Sequence, residues 1–140
     1  MSAVTNPGGD NPFEHTFESL LGLEILEHDE QRVTARVPVR RELKQGAGLV
    51  HGGVYASVAE SLASAATYLA VASDGNAAMG LSNSTSFMRP ITEGQIHALA
   101  RRRHRGRTTW IWDVDFSDDQ DRLCASTRVT IAVRPARPPS

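Results

Sequence analysis

The residues best placed for chemistry are Glu60 and Ser64, a carboxylate and a hydroxyl four positions apart in an otherwise apolar stretch. At helical spacing they point the same way. The stretch, Val54 to about Ala72, is opened by Gly48-Leu49-Val50-His51-Gly52-Gly53. On a helical wheel it has three faces. Val54, Tyr55, Val58, Leu62, Ala65, Leu69 and Ala72 form a large apolar stripe. Ala56, Ala59, Ala63, Ala66 and Ala70 form a strip small enough for another backbone to approach closely. Gly53, Ser57, Glu60, Ser64, Thr67 and Val71 share the third face. Two of the three faces call for burial, so Glu60 is expected in a partly desolvated place where its reactivity rises. A carboxylate so placed could be a general base or a nucleophile.

The elements that must position this helix read as an antiparallel sheet. Met1 to about Pro12, with Asn6-Pro7-Gly8-Gly9 as breakers, reads as a disordered tail, and 13–137 as one domain. Phe13 to Leu21 is spaced for a short helix. Leu23 to His28 and Arg32 to Val39 form a hairpin across Asp29-Glu30-Gln31, with Pro38 at an edge or strand end. After the long helix, Ser73-Asp74-Gly75-Asn76 is a turn, and four strands follow: Ala77 to Met88, Gly94 to His104, Thr108 to Phe116 and Arg122 to Val133. Trp110, Trp112, Val114 and Phe116 share one face of the third. Leu123, Ala125, Thr127, Val129, Ile131 and Val133 share one face of the last. The pattern predicts an α+β domain, a sheet curled around one long central helix. Its open edges call for a second copy.

Composition bounds the function. A chain of 140 residues, 40% hydrophobic and 22% charged, can bury a real core. A formal net charge of −1 argues against a general polyanion binder. The local run Arg101-Arg102-Arg103-His104-Arg105-Gly106-Arg107 has no interleaved aromatics, and strand alternation sends its arginines to both faces, so no nucleic acid is expected. The single cysteine, Cys124, excludes an internal disulfide framework, fits a reducing cytoplasm and reads as a packing residue. His15, His28, His97 and His104 lack metal-ligand spacing, so neither a metal nor a resident cofactor is expected. No signal peptide is visible, and the long helix carries Glu60 and several hydroxyls, which argues against a membrane span.

The run Gln45-x-x-Gly48-Leu49-x-His51-Gly52-Gly53 followed by Ala59-Glu60-Ser61 resembles the hotdog-fold acyl-CoA thioesterases. Within them it is most similar to the 4-hydroxybenzoyl-CoA branch that places a Glu on the central helix. The similarity continues through Ser82-Asn83-x-Thr85-Ser86-Phe87-x-Arg89-Pro90, Thr108-Thr109-Trp110-x-Trp112-Asp113-Val114, Arg122-Leu123-Cys124-Ala125 and Ile131-Ala132-Val133-Arg134-Pro135. The resemblance implies two subunits joining sheets, dimers pairing into a homotetramer, and metal-free active sites at the subunit interface. Glu60 matches the catalytic carboxylate. The Gly52 N–H matches the group that polarises the thioester carbonyl, and Gln45 a side chain that orients substrate or water. His51 matches the motif histidine beside the site. Arg89, Thr108 and Arg137 match contacts to the nucleotide or phosphates of coenzyme A, which is part of the substrate.

Two positions depart from the branch. Ser64 stands where the 4-hydroxybenzoyl-CoA enzymes have Thr, and a serine there is more like the 1,4-dihydroxy-2-naphthoyl-CoA thioesterases. Arg107 replaces a small hydroxyl residue before Thr108-Thr109 and changes how the coenzyme phosphates would be held. Thioester hydrolysis suits the remaining set. Unpaired first-turn donors and the helix dipole favour charge on a carbonyl oxygen, and the paired glycines admit substrate close to the backbone.

Each residue also has a plain structural role open to it. Glu60 could pair with an arginine, Ser64 could bond back to its own helix, and Gln45 or His51 could simply hold the loop. The expected activity is hydrolysis of an aromatic acyl-CoA. A 1,4-dihydroxy-2-naphthoyl-CoA or phenylacetyl-CoA thioesterase and a non-catalytic acyl-CoA-binding module are the alternatives.

Overall fold

The computed structural model describes residues 14–137. The expected tail, Met1 to Pro12, lies outside them, as does Phe13 at the start of the predicted short helix. In chain order the elements are α1 (Phe17–Leu21), β1 (Glu24–His28), β2 (Arg32–Pro38), α2 (Gly52–Val71), β3 (Asn76–Phe87), β4 (Gln95–Arg105), β5 (Thr109–Ser117) and β6 (Leu123–Pro135). The six strands form one sheet in the order β1-β2-β4-β5-β6-β3. Every pairing is antiparallel.

The predicted hairpin is β1–β2, with Pro38 closing β2 where its missing N–H costs no ladder bond. Burial alternates along β4 and β5, and Trp110, Trp112, Val114 and Phe116 all face the core as predicted. Leu123 does not. It is half exposed, while Cys124 and Ala125 are both buried. The β5–β6 register slips between Phe116 and Ser117, and that irregularity breaks the simple alternation at the start of β6.

The long helix starts at Gly52, two residues earlier than Val54, because His51 caps it: its Nδ1 accepts the Gly53 N–H at 2.9 Å. It ends through a short 3₁₀ turn at Ala72–Asp74 and Gly75, which takes the left-handed φ of 77°. By length and composition α2 could cross a membrane, yet half of that window is buried by the protein's own strands. Val58, Ala59, Leu62 and Ala63 are fully buried, so the small-residue strip packs against the sheet as closely as the large stripe does.

The third face of α2 splits in two. Thr67 and Val71 are buried, because Trp112 of β5 reaches across the core and its indole N–H donates to Thr67 Oγ1 at 3.0 Å. Thr67 in turn donates to the Ala63 carbonyl at 2.7 Å. Glu60, on the same face, is exposed, contrary to the expected partial desolvation. The reason is the position of β3, which is the sheet's edge and leaves that side of the helix open.

Part of the basic run is engaged on the sheet. The guanidinium groups of Arg102 and Arg105 lie 5.1 and 4.9 Å from the Trp110 ring. Arg105 also pairs with Glu30 at 2.9 Å, tying β4 to the β1–β2 turn.

The Trp112–Thr67 bond joins the central helix to the middle of the sheet, so its loss should be felt globally. Thr67→Val keeps the shape and leaves the indole N–H without an acceptor, a cost of about 1–3 kcal/mol. Thr67→Ser keeps the acceptor and should cost less. Urea unfolding of the two variants checks this, and equal stability of Thr67→Val and the parent would remove the bond from the account.

Candidate active site

The N-terminus of α2 separates two clefts. One, of about 520 Å³, is lined by Gln45, Gly52, Tyr55, Phe87, Arg89 and Cys124 among others. The other, of about 600 Å³, lies toward α1 and includes Phe17, Leu20, Lys44, His51, Gly53 and Ser57. The two glycines therefore serve different sides. The Gly53 N–H is taken by His51. Among the described residues the Gly52 N–H has no partner, and Gly52 lines the first cleft. A free donor at the positive end of a twenty-residue helix suits an oxygen that gains negative charge.

The cleft has a wet rim and an apolar floor. Gln45, Met88 and Arg89 are exposed, whereas Val50, Tyr55 and Cys124 are buried. Gln45 is held by its backbone: its N–H donates to the Leu49 carbonyl at 2.9 Å, and its carbonyl accepts from Gly48 at 3.0 Å. Its side chain forms no hydrogen bond with the other described residues. Cys124 packs as expected, with Sγ on the Arg122 carbonyl at 3.1 Å, and burial pushes its thiol pKa up. The space over Gly52 is used by Phe87. A Cβ at that glycine would stand 2.8 Å from Phe87 Cζ, so glycine permits the close approach of a ring in this protomer.

Glu60 is not part of this cleft. It lies eight residues beyond Gly52, about 12 Å along the helix axis at 1.5 Å per residue. Its carboxylate rests on β3 at Gly80, where a Cβ would come within 2.8 Å of Oε1. There the β3–β6 register shifts between Gly80 and Ser82. Asn83 holds the same strand to the helix, its Nδ2 donating to the Ala56 carbonyl at 2.9 Å. Gly80 and Asn83 escaped sequence reasoning as site residues. Asn83 stood inside a family motif, and Gly80 became visible only once β3 lay beside Glu60.

Ser64, one turn beyond Glu60, is half-buried, and its hydroxyl has no partner among the described residues. The expected back-bonding instead occurs at Ser57, on the Gly53 carbonyl at 2.7 Å, and at Thr67. His51 is placed as the helix cap.

The residues matched to coenzyme contacts divide between the two ends of the sheet. Arg89 follows β3, its N–H on the Cys124 carbonyl at 3.1 Å. Thr108 lies at the other end, where its carbonyl accepts from Val133 at 2.9 Å. Arg107 precedes it, exposed in the β4–β5 turn. Arg137 is exposed beside Ala136, whose N–H donates to Gly75 at 2.8 Å. Cys124 and Val133 are nine residues apart on β6, which puts the two groups about 30 Å apart. No three His, Cys, Asp or Glu side chains among the described residues gather closely enough to hold a metal.

The geometry has matches among known proteins. The Thioesterase superfamily model matches residues 47–125, which include Gly52, Glu60 and Gly80. The proofreading thioesterase EntH of Cronobacter turicensis is 34% identical over 113 residues, 81% of this chain and 82% of that protein. The crystal structure of a mutant of thioesterase PA1618 from Pseudomonas aeruginosa superposes with a TM-score of 0.85 at 35% identity, covering 89% of each chain. The E. coli PaaI protein from the phenylacetic acid degradation operon gives 0.78 at 25% identity, with 89% of this chain and 88% of that one covered. With the helix, sheet and free Gly52 N–H in place, the chain belongs to the thioesterase superfamily, has its hotdog fold, and is a thioester hydrolase.

Proposed function

We propose that this enzyme hydrolyses an aromatic acyl-CoA of the 4-hydroxybenzoyl type to the free acid and coenzyme A. The observation that carries this reading is the free Gly52 N–H in an apolar cleft that also holds the Gln45 side chain. The thioester carbonyl oxygen accepts from Gly52, and the helix dipole stabilises the charge that builds there. Gln45 orients substrate or water. Glu60 attacks the carbonyl carbon to give a mixed anhydride that water then opens, or takes the proton of an attacking water. In either route the coenzyme leaves as thiolate and is protonated afterwards. Phe87 and Tyr55 favour a flat acyl group. PaaI, from a phenylacetic acid operon, keeps phenylacetyl-CoA as the second candidate, and Ser64 keeps 1,4-dihydroxy-2-naphthoyl-CoA as the third.

The working site is composite. One chain cannot bring its own Glu60 to a carbonyl held on its own Gly52, about 12 Å away. β3 is an unpaired edge of twelve residues carrying the exposed side chains Met79, Leu81 and Phe87. A second β3 added antiparallel about a two-fold axis sets the Phe87 end of one strand against the Asn76 end of the other. That arrangement carries Glu60 toward the partner's Gly52. It also brings Arg89 toward the Arg107, Thr108 and Arg137 end of the other copy, so that the divided coenzyme contacts meet. Pairing of such dimers gives the homotetramer, a soluble cytoplasmic enzyme.

Free thiol release from a panel of benzoyl-, hydroxybenzoyl-, phenylacetyl-, dihydroxynaphthoyl- and straight-chain acyl-CoAs tests the reading. Aryl substrates should lead, and Glu60→Gln should lose two orders of magnitude or more, on the scale of general-base loss, ~10²–10⁴. Equal rates in both proteins would show Glu60 to be structural. Gly80→Ala should cut kcat by roughly 10²-fold, because the new methyl displaces the flexible carboxylate and leaves the strand intact. An unchanged kcat with an unchanged melting temperature would show that Gly80 does not position Glu60. His51 is separated by its replacements. If it is only a cap, His51→Asn keeps stability and activity while His51→Ala loses about 0.5–2 kcal/mol of stability. Activity lost equally in both, with Asn stable, would place the imidazole on the substrate.

A further inference from the structure

Tyr55 follows Gly52 by three positions, so the two lie on the same side of α2 and open on the same cleft. The residue is 3% exposed. Its ring is fixed by two others, Phe116 at 5.2 Å edge-on and Phe87 at 6.0 Å. Such rings make an apolar wall, and Phe would serve as well for packing alone. The hydroxyl needs another explanation. It makes no hydrogen bond with any described residue. Yet the only fully buried side-chain polar atom without a partner among them is Gln95 Oε1. The Tyr55 hydroxyl is therefore not sealed off, and Tyr55 is one of the residues that line the cleft.

The other groups at the cleft floor are already committed or apolar. The Cys124 thiol is on the Arg122 carbonyl, and Val50 has no polar side-chain atom. Burial, with a smaller contribution from Cys124, pushes the Tyr55 phenol up to about 12, so it keeps its proton and can donate across the neutral range. A donor that a bound acyl group shuts off from water is costly if left unpaired, which makes a site that carries one selective for ligands that satisfy it.

We propose that Tyr55 is a specificity-determining residue: its hydroxyl pairs with an oxygen substituent on the acyl group and selects oxygenated aryl acyl-CoAs over their plain hydrocarbon counterparts. This rests on the cleft beside Gly52 being the acyl site.

Tyr55→Phe removes the oxygen and keeps the ring contacts, so folding can be verified by its melting temperature. The primary readout is the ratio of kcat/KM for benzoyl-CoA bearing a ring hydroxyl at the ortho, meta or para position to that for benzoyl-CoA itself. The parent should prefer one hydroxylated isomer, and that ratio should fall about ten-fold or more in the variant. A parent without preference, or a ratio unchanged by the substitution, overturns the proposal while leaving hydrolysis intact.

Calorimetric binding of non-hydrolysable phenacyl and hydroxyphenacyl thioethers of CoA gives a second readout. If no acyl-CoA is turned over, a preference for the hydroxylated thioether that disappears in Tyr55→Phe still supports the residue's role and removes only the hydrolytic reading. Equal binding of both thioethers by the parent overturns the role of Tyr55 directly.

Discussion

One layer of sheet has to bury one helix, and it cannot surround it. Everything unusual in the protomer follows from this shortfall. The strands cover the sides of α2 that carry Val58, Leu62, Ala59 and Ala63, and they reach Thr67 through Trp112. They stop at β3, the edge, and the face with Glu60 stays open. An ordinary core helix would place a hydrophobic residue there and lose solubility, or a polar one with no function. This helix places a carboxylate against the backbone of the edge strand at a glycine. In the proposed composite site, the unfinished burial and the unfinished active site are the same feature, and a second copy paired on β3 would complete both.

The sequence carried the elements well because their signals are local. Alternation marked Trp110 to Phe116 as half-buried, Pro38 marked a strand end, and the turn around Gly75 ended the helix where the left-handed residue sits. The helix start is legible to within two residues, Gly52 against the expected Val54, since helix starts are written in consecutive residues. What failed was non-local. A helical wheel ranks faces by composition and cannot tell how far a sheet extends, so it predicted a desolvated Glu60 and grouped it with the buried Thr67. The contact of Gly80 with Glu60 depends on β3 lying beside the helix, a placement set by its pairing with β6 and not by its own neighbours. Leu123 was turned outward by a slip in register that leaves no mark in its own neighbours.

The same distinction separates the two histidine-motif glycines. Their N–H groups look equivalent in sequence, both free by virtue of starting a helix. Once His51 turns its ring back on Gly53, only Gly52 retains an unpaired donor. The cap therefore does more than stabilise the helix. By occupying one donor it leaves only the Gly52 N–H of the pair free, at a residue that lines the Tyr55 cleft rather than the one toward α1.

The serine and threonine hydroxyls of α2 can be sorted by what they bond. Ser57 and Thr67 return to their own helix carbonyls, and Ser61 donates to Glu18 of α1 at 2.9 Å. Each is thereby spent on structure. Ser64 is the exception, half-buried without a partner among the described residues and one turn from Glu60 on the same side. A serine in mid-helix either closes on the carbonyl four residues back or points outward. One that does not close is available to a molecule arriving from outside, and the carboxylate beside it is what that molecule would meet. For a hydrolase the arriving molecule includes water. An oxygen donor-acceptor next to a carboxylate is the pair needed to hold water for proton removal, so within the proposed mechanism the free hydroxyl favours the general-base route for Glu60 over the nucleophilic one.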